Sequence, residues 1–207
     1  LKPTAVLIEL HYLPCLQYFA KLAQCPLAYI EQWENYQKGS YRNRCHIAGA
    51  NGLLRLSVPL QKGKNEQQPI RAVRIAYKEP WPAQHWGSIQ SAYGKAPYFE
   101  HYAEHLQPLF EARYERLFDF SFALLEKLAA LLQLDCELRL TERYEPALPA
   151  EIEDARDAIH PKKPRWPFTP RPYPQIFSEK HGFMPNLSAL DLLFCAGPEA
   201  PRWIASS

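Results

Sequence analysis

Two short apolar runs on either side of one helical segment leave few folds open to this chain. Ala5 to Leu10 (AVLIEL) is almost continuously apolar, as in a strand buried on both faces. Pro14 stands where a helix can begin, and Leu16, Phe19, Ala20 and Ala23 recur behind it at helical spacing. Cys25-Pro26 ends that helix, and Leu27 to Ile30 reads as a second strand. Strand, helix and strand so close together make a βαβ unit, for which a right-handed crossover onto a parallel sheet is the default. The turn His11-Tyr12-Leu13-Pro14 then lies beyond the carboxyl end of the first strand, where open α/β sheets bind their ligands.

Past this unit the period changes. Glu34 to Arg44 is polar and aromatic, has neither a helical nor a strand period, and is predicted to be a loop. His46 to Ala48, the turn Gly49-Ala50-Asn51-Gly52 and Leu53 to Leu60 predict a β-hairpin, with Asn-Gly as its strongest local signal. Ile70 to Tyr77 predicts a further strand. Trp81 to Tyr93 and Tyr98 to Phe110 predict two helices, and a third, capped by Asp119 or Ser121, runs to Leu134. Glu137 to Tyr144 predicts a strand. A last apolar helix, Ala189 to Ala196, has Asn186 as its candidate cap and stops at Gly197-Pro198. The expected fold is α/β: a Rossmann-like mixed sheet with an N-terminal βαβ unit, a β-hairpin insertion and a helical C-terminal half.

The length of 207 residues is consistent with one domain, 1–207. Eight of the 20 prolines fall in 146–174, which bars that segment from a central strand or a helix interior. It is predicted to be an ordered loop packed on the domain, with one short helix near Glu151 to Ala158; disorder is the alternative. A net charge of +2 gives no global field toward nucleic acid or a membrane surface. No apolar run reaches the roughly 20 residues of a membrane span, and the N-terminus lacks a secretory signal pattern, so a cytoplasmic location is expected. The 5 cysteines contain no CxxC pair, which argues for reduced, buried thiols rather than a zinc ribbon or redox pair. His101 and His105 lack a third ligand nearby, and no metal is expected.

Four clusters could carry chemistry. His11 and Tyr12 precede a helix whose N-terminal amides suit a phosphate or carboxylate, with Gln17 and Lys21 one turn apart on the helix. Lys38, Tyr41, Arg42, Asn43 and Arg44 follow in one short segment, where guanidinium forks match an anion and tyrosines can stack on a sugar or base. A solvated loop is the plainer reading. Arg156, Asp157, His160, Lys162, Lys163 and Arg165 form a basic run that is either a lid over a site or a solvated face. Asp191 falls in an apolar helix and needs a buried partner, one of these cations being the natural candidate. No GxSxG, HExxH, GxGxxG or Walker motif is present.

Taken together, His11-Tyr12-Leu13-Pro14, Gln17 to Leu22, Tyr36-Gln37-Lys38 and Tyr41 to Arg44 resemble the bacterial WbqC-like family. The resemblance continues through Leu56 to Leu60, Tyr93 to Phe99, Asp157 to Lys162 and Gly182 to Leu193. Family members often carry Gln-Pro before the motif tyrosine, where this chain has Glu9, Leu10 and His11. The resemblance implies a transferase step in surface-polysaccharide precursor synthesis, moving an amino-acyl or acyl group to a nucleotide- or phosphate-linked sugar. The expected partner is an anionic small molecule, with nucleic acid disfavoured; no cofactor is assigned. Arg42, Arg44 and Lys38 are the expected anion binders, and Tyr12, Tyr41 and Asn43 the positioners. Gln17, Lys21, Arg156, His160 and Lys162 complete the expected site, and His11, which titrates nearest neutrality, is the candidate general base. The competing expectation is a non-catalytic binding or scaffold protein.

Overall fold

The computed structural model describes residues 4–162, 166 and 168–205. Its organising element is a four-stranded sheet in the order β5-β2-β1-β6, with every neighbouring pair parallel. β1 (Ala5–Glu9) and β2 (Leu27–Glu31) pair in register from Ala5–Leu27 to Glu9–Glu31, joined through α1 (Leu16–Leu22). This is the βαβ unit that the apolar runs predict. Val6, Ile8, Ala28 and Ile30 point into the main core and are wholly buried. The opposite face carries Ala5, Leu7 and Glu9 on β1, and Leu27, Tyr29 and Glu31 on β2, as the period of two requires.

β3 (Arg44–Gly49) and β4 (Gly52–Ser57) form the predicted hairpin, with Gly49 opposite Gly52. The hairpin makes a sheet of its own, so the single mixed sheet expected becomes one parallel sheet and one antiparallel pair. Ile70 to Tyr77 is not a strand: Ile70–Ala72 is a 3-10 turn, followed by isolated bridges Leu60–Ile75 and Arg74–Arg116. Ile70, Val73 and Ile75 suggest a strand, but among the described residues no neighbouring strand lies alongside to complete a ladder.

α2 (Trp81–Tyr93) and α3 (Phe99–Glu111) follow the predicted spacing. α4 (Leu117–Leu131) starts before its expected caps, because Leu117 N donates to Val73 O at 2.9 Å and fixes the first turn from outside the helix. Asp119 lies in that first turn, where a carboxylate suits the helix dipole. β5 (Glu137–Leu140) then adds beside β2.

The helix expected at Glu151 to Ala158 is instead β6 (Ile152–Asp154), an edge strand parallel to β1. Its backbone pairs with β1 residues far away in sequence, a bond that local periodicity cannot report. An edge position is where a proline-rich stretch can still join a sheet. Lys163, Pro164, Arg165 and Pro167 lie outside the described residues. Further on, α5 (Ser178–His181), α6 (Ala189–Ala196) and α7 (Ala200–Ala205) complete the chain. α6 is buried along its whole length, as a helix apolar on every side must be, and it touches α1, α3, α4 and β3. It ends at Gly197, whose φ is +54 and where a Cβ would stand 2.4 Å from the Tyr98 ring.

Asp191 does not pair with a cation among the described residues. Its Oδ2 accepts from the Tyr173 hydroxyl and from Gln175 Nε2, both at 2.8 Å, and burial raises its pKa. It therefore ties the end of the proline-rich segment to α6. Among the described residues no helix is long and apolar enough to cross a membrane.

Candidate functional site

Three neighbouring strands end in a carboxylate on the same face of the sheet: Glu9 on β1, Glu31 on β2 and Asp154 on β6. Apolar side chains occupy the earlier positions of that face, so each strand runs from an apolar start to an acidic carboxyl end. Each acid is met differently. Glu9 Oε1 lies 2.9 Å from His11 Nε2, and Glu9 Oε2 accepts from Asp157 N at 3.0 Å. Glu31 Oε1 accepts from Trp33 N at 2.8 Å and from Thr141 Oγ1 at 3.0 Å. Arg156 grips Asp154 through two N–H donors at 2.9 and 2.6 Å, and its third nitrogen donates to Glu145 O at 2.9 Å.

A second group sits just beyond the strand ends. Arg42 is 1 % exposed, and its Nε and Nη2 each donate to Glu34 at 2.7 Å. Arg42 Nη2 also donates to Asp157 Oδ1 at 2.8 Å, and Gln37 Nε2 donates to Asp157 Oδ2 at 2.7 Å. Burial opposes the charge on Arg42, but the facing carboxylates outweigh it and raise its pKa, so the guanidinium stays charged. Burial also lifts the Glu34 carboxyl to about 7 against the pull of Arg42. Asp157 has φ +57, an uncommon backbone setting outside glycine, held here by three separate hydrogen bonds.

Glu34, Gln37, Asp154, Arg156 and Asp157 border a crevice of about 680 Å³ at the carboxyl end of the sheet. Trp33 and Tyr144 give it aromatic walls; Glu34, Asn35, Gln37, Asp154, Arg156 and Asp157 give it planar polar groups. A guanidinium lies on one face of each ring, Arg71 at 4.2 Å from Trp33 and Arg156 at 4.8 Å from Tyr144. The lining holds three acids against one Arg. A larger cavity of about 710 Å³ adjoins it over the apolar part of the same sheet face, with Glu31 and Glu145 in its lining.

The expected site residues divide between this crevice and elsewhere. Arg156 lines it and Arg42 stands behind Glu34 and Asp157, each in ion pairs rather than as an open anion fork, although Arg42 Nη1 has no hydrogen-bond partner among the described residues. His11 is completely buried between the Tyr18 and Tyr41 rings, 4.9 and 5.3 Å away. It touches the crevice only through Glu9 and the Asp157 amide. A general base must reach the proton that it takes, and His11 lines none of the described cavities. Tyr41 is buried and gives its carbonyl to Tyr12 N at 3.0 Å. Asn43 accepts from the Tyr36 hydroxyl and donates to Val58 O, both at 3.0 Å, so it braces the loop. Arg44 is half-buried at the start of β3, and Lys38 is exposed beside Gln37. His160 Nδ1 accepts from Lys162 N at 3.1 Å, a local turn contact.

The helix N-terminus expected to meet a ligand is occupied by the chain itself. Leu16 N donates to Leu187 O at 2.9 Å, and Gln17 N to Asn186 Oδ1 at 3.0 Å. Asn186 thus caps α1 rather than its own helix, whose cap is Ser188. Gln17 and Lys21 line a separate cavity of about 350 Å³. There Lys21 Nζ lies 2.7 Å from Glu153 and 4.4 Å from the Trp166 ring centre.

Tyr12 is likewise a core tie. It is wholly buried, and its hydroxyl lies 2.8 Å from His85 Nδ1 on α2. Tyr12→Phe is expected to leave the His85 nitrogen buried without a donor and to lower unfolding free energy by about 1–3 kcal/mol. Urea unfolding measures this, and an unchanged midpoint would show that the hydroxyl is dispensable.

An α/β protein built on an all-parallel sheet, with a polar crevice beyond its strand ends, is the class that this architecture defines. The chain belongs to the WbqC-like protein family, whose model matches residues 10–157. That span contains every residue named in the crevice lining. The uncharacterized protein Rv1507c of Mycobacterium tuberculosis is 25% identical over 225 residues, covering 96% of each chain. No solved structure matches.

Proposed function

We propose that the crevice binds a sugar and that the protein is a transferase acting on a sugar precursor of a bacterial surface polysaccharide. The observation that carries the binding reading is the lining itself: two aromatic rings, five planar polar side chains other than Arg156, and that single guanidinium. Sugar rings present apolar faces to aromatic side chains and hydroxyls to carboxylates and amides, and this set offers both. The sheet order supports the location. Numbered within the sheet, the strands run 3-2-1-4; read as the start of a Rossmann-like order, this puts a switch point between β1 and β6, at Glu9 and Asp154.

The acidic excess argues for hydroxyls inside the crevice rather than for a buried anion. In a nucleotide- or phosphate-linked sugar, the phosphate would then lie toward solvent, where Lys38 follows the lining residue Gln37. Glu34 is the acid–base candidate in place of His11, because it borders the crevice and burial raises its pKa to about 7; to act it exchanges one of its two bonds to Arg42 for the substrate. His11 acts as a positioning residue, through Glu9 to the Asp157 amide. An amino-acyl or acyl group is the moiety transferred in this reading.

Calorimetry with sugar nucleotides and the corresponding free sugars tests the proposal. Saturable binding is expected, weakened at least about tenfold in Tyr144→Ala and in Asp157→Asn, each of which removes a ring or a charged hydrogen bond. Absence of heat with every sugar would sink it. The complete burial of His11 favours a second reading, a non-catalytic binding protein; sugar binding with no transfer from acyl or amino-acyl donors would select it.

A further inference from the structure

We infer that the cavity over the sheet's open face is a second ligand site, for a primary ammonium carried on an apolar body. The cavity of about 710 Å³ is floored by Leu7, Tyr29 and Ile152, with Arg139 of β5 beside Tyr29 and Leu140 at its edge, beneath the chain segment that bears Leu148 and Pro149. At the end of this floor stands Glu31. Its carboxylate is wholly buried, and Oε1 is fully used by Trp33 N and Thr141 Oγ1. Oε2 accepts no hydrogen bond. The nearest cation, Arg156 Nη1, is 3.7 Å away and already donates to Glu145 O. A buried carboxylate oxygen without a donor is costly, and an ammonium supplies both the proton and the charge. The other charges of the lining do not reverse this. Arg139 is held by Glu137 and Arg143 by Glu145, while Glu142 adds a further negative charge to the rim. The apolar floor matches an alkyl or aromatic body. The site is independent of the sugar reading, since its lining shares no residue with that of the crevice.

Hexylammonium chloride tests the chemistry, with hexanoate and 1-hexanol as controls of the same chain length, by calorimetry on the intact protein. The ammonium is expected to bind at least about tenfold more tightly than either control, the size of one charged hydrogen bond. Glu31→Gln retains acceptors for Trp33 N and Thr141 Oγ1, and is expected to bring the ammonium down to the level of hexanol. Ile152→Trp, which fills the cavity, is expected to abolish binding. Asp157→Asn, which alters only the crevice, is expected to leave it unchanged. Hexanoate binding as tightly as hexylammonium, or an unaltered affinity in Glu31→Gln, would overturn the assignment. Should Glu31→Gln not fold, methyl resonances of the wild-type protein decide the same point. Leu7 and Ile152 must shift with the ammonium and not with hexanoate.

Discussion

Replacing Arg42 by methionine is expected to lower unfolding free energy by about 3–5 kcal/mol, the range for removing one partner of a buried ion pair. Methionine fills most of the volume, so the loss is electrostatic rather than a cavity effect. Glu34, with both oxygens on the guanidinium, would be left buried beside Glu9 and Asp157 with no cation between them. The loss should grow as pH rises above about 7 and level off below it, because Arg42 is what lowers the Glu34 pKa, and below that pH Glu34 is protonated with or without the guanidinium. Sugar binding should fall in parallel, since Arg42 also fixes Asp157 at the crevice wall. Urea unfolding of Arg42→Met at about pH 6 and about pH 9 measures the loss and its pH dependence. A loss below about 1 kcal/mol, the value of an exposed pair, would show that the cluster is more hydrated than its geometry indicates.

The fold was legible where local pattern and burial agree. The βαβ unit, the hairpin turn, α2 and α6 all follow from spacing, because one face of each element is apolar and the chain around it is not. β6 was hidden because three residues on a sheet edge have no period of their own, and their pairing with Ala5 to Leu7 is a property of the tertiary fold. The same limit governed the site. Arg42 and Arg156 were visible as cations, but their charge is met by Glu34, eight residues away across a loop without period, and by Asp154, two residues away at the end of a strand for which the sequence predicts a helix. Polarity therefore reversed from basic in the sequence to acidic in the crevice. One signal for the acids was present: AVLIE and LAYIE are apolar runs of equal length that both end in Glu, and in a parallel pair such endings must meet. Asn186 carries a related lesson, since a good capping residue serves whichever helix end lies nearest in space.

His85 sets the pH at which the core weakens. It is 7 % exposed, and burial pushes its imidazole down to about 4, although a hydrogen bond to the Ser57 carbonyl opposes the shift. A neutral ring can accept from the Tyr12 hydroxyl at Nδ1 and turn its N–H toward the Ser57 carbonyl, so neither contact needs a charge. The unfolded chain takes up this proton near pH 6.5, and the folded one only near pH 4. Between those values the unfolded state binds more protons, so the His85 contribution is complete above pH 6.5 and is lost as pH falls toward 4. The full loss is about 3 kcal/mol, from some two and a half pKa units at about 1.4 kcal/mol each. Glu34 acts in the opposite sense over an overlapping range. Its folded pKa of about 7 lies above the ordinary 4.5, so its contribution is present below 4.5 and declines as pH rises through 7. The difference between wild type and His85→Gln isolates the histidine, because Glu34 is common to both. Glutamine can accept from Tyr12 and donate to Ser57 without titrating. The stability advantage of the wild type over His85→Gln is therefore expected to fall by about 3 kcal/mol between pH 7 and pH 4. A difference that stays constant across that range would mean that the imidazole titrates alike in the folded and unfolded chain, and that Tyr12 and His85 do not form the buried neutral pair.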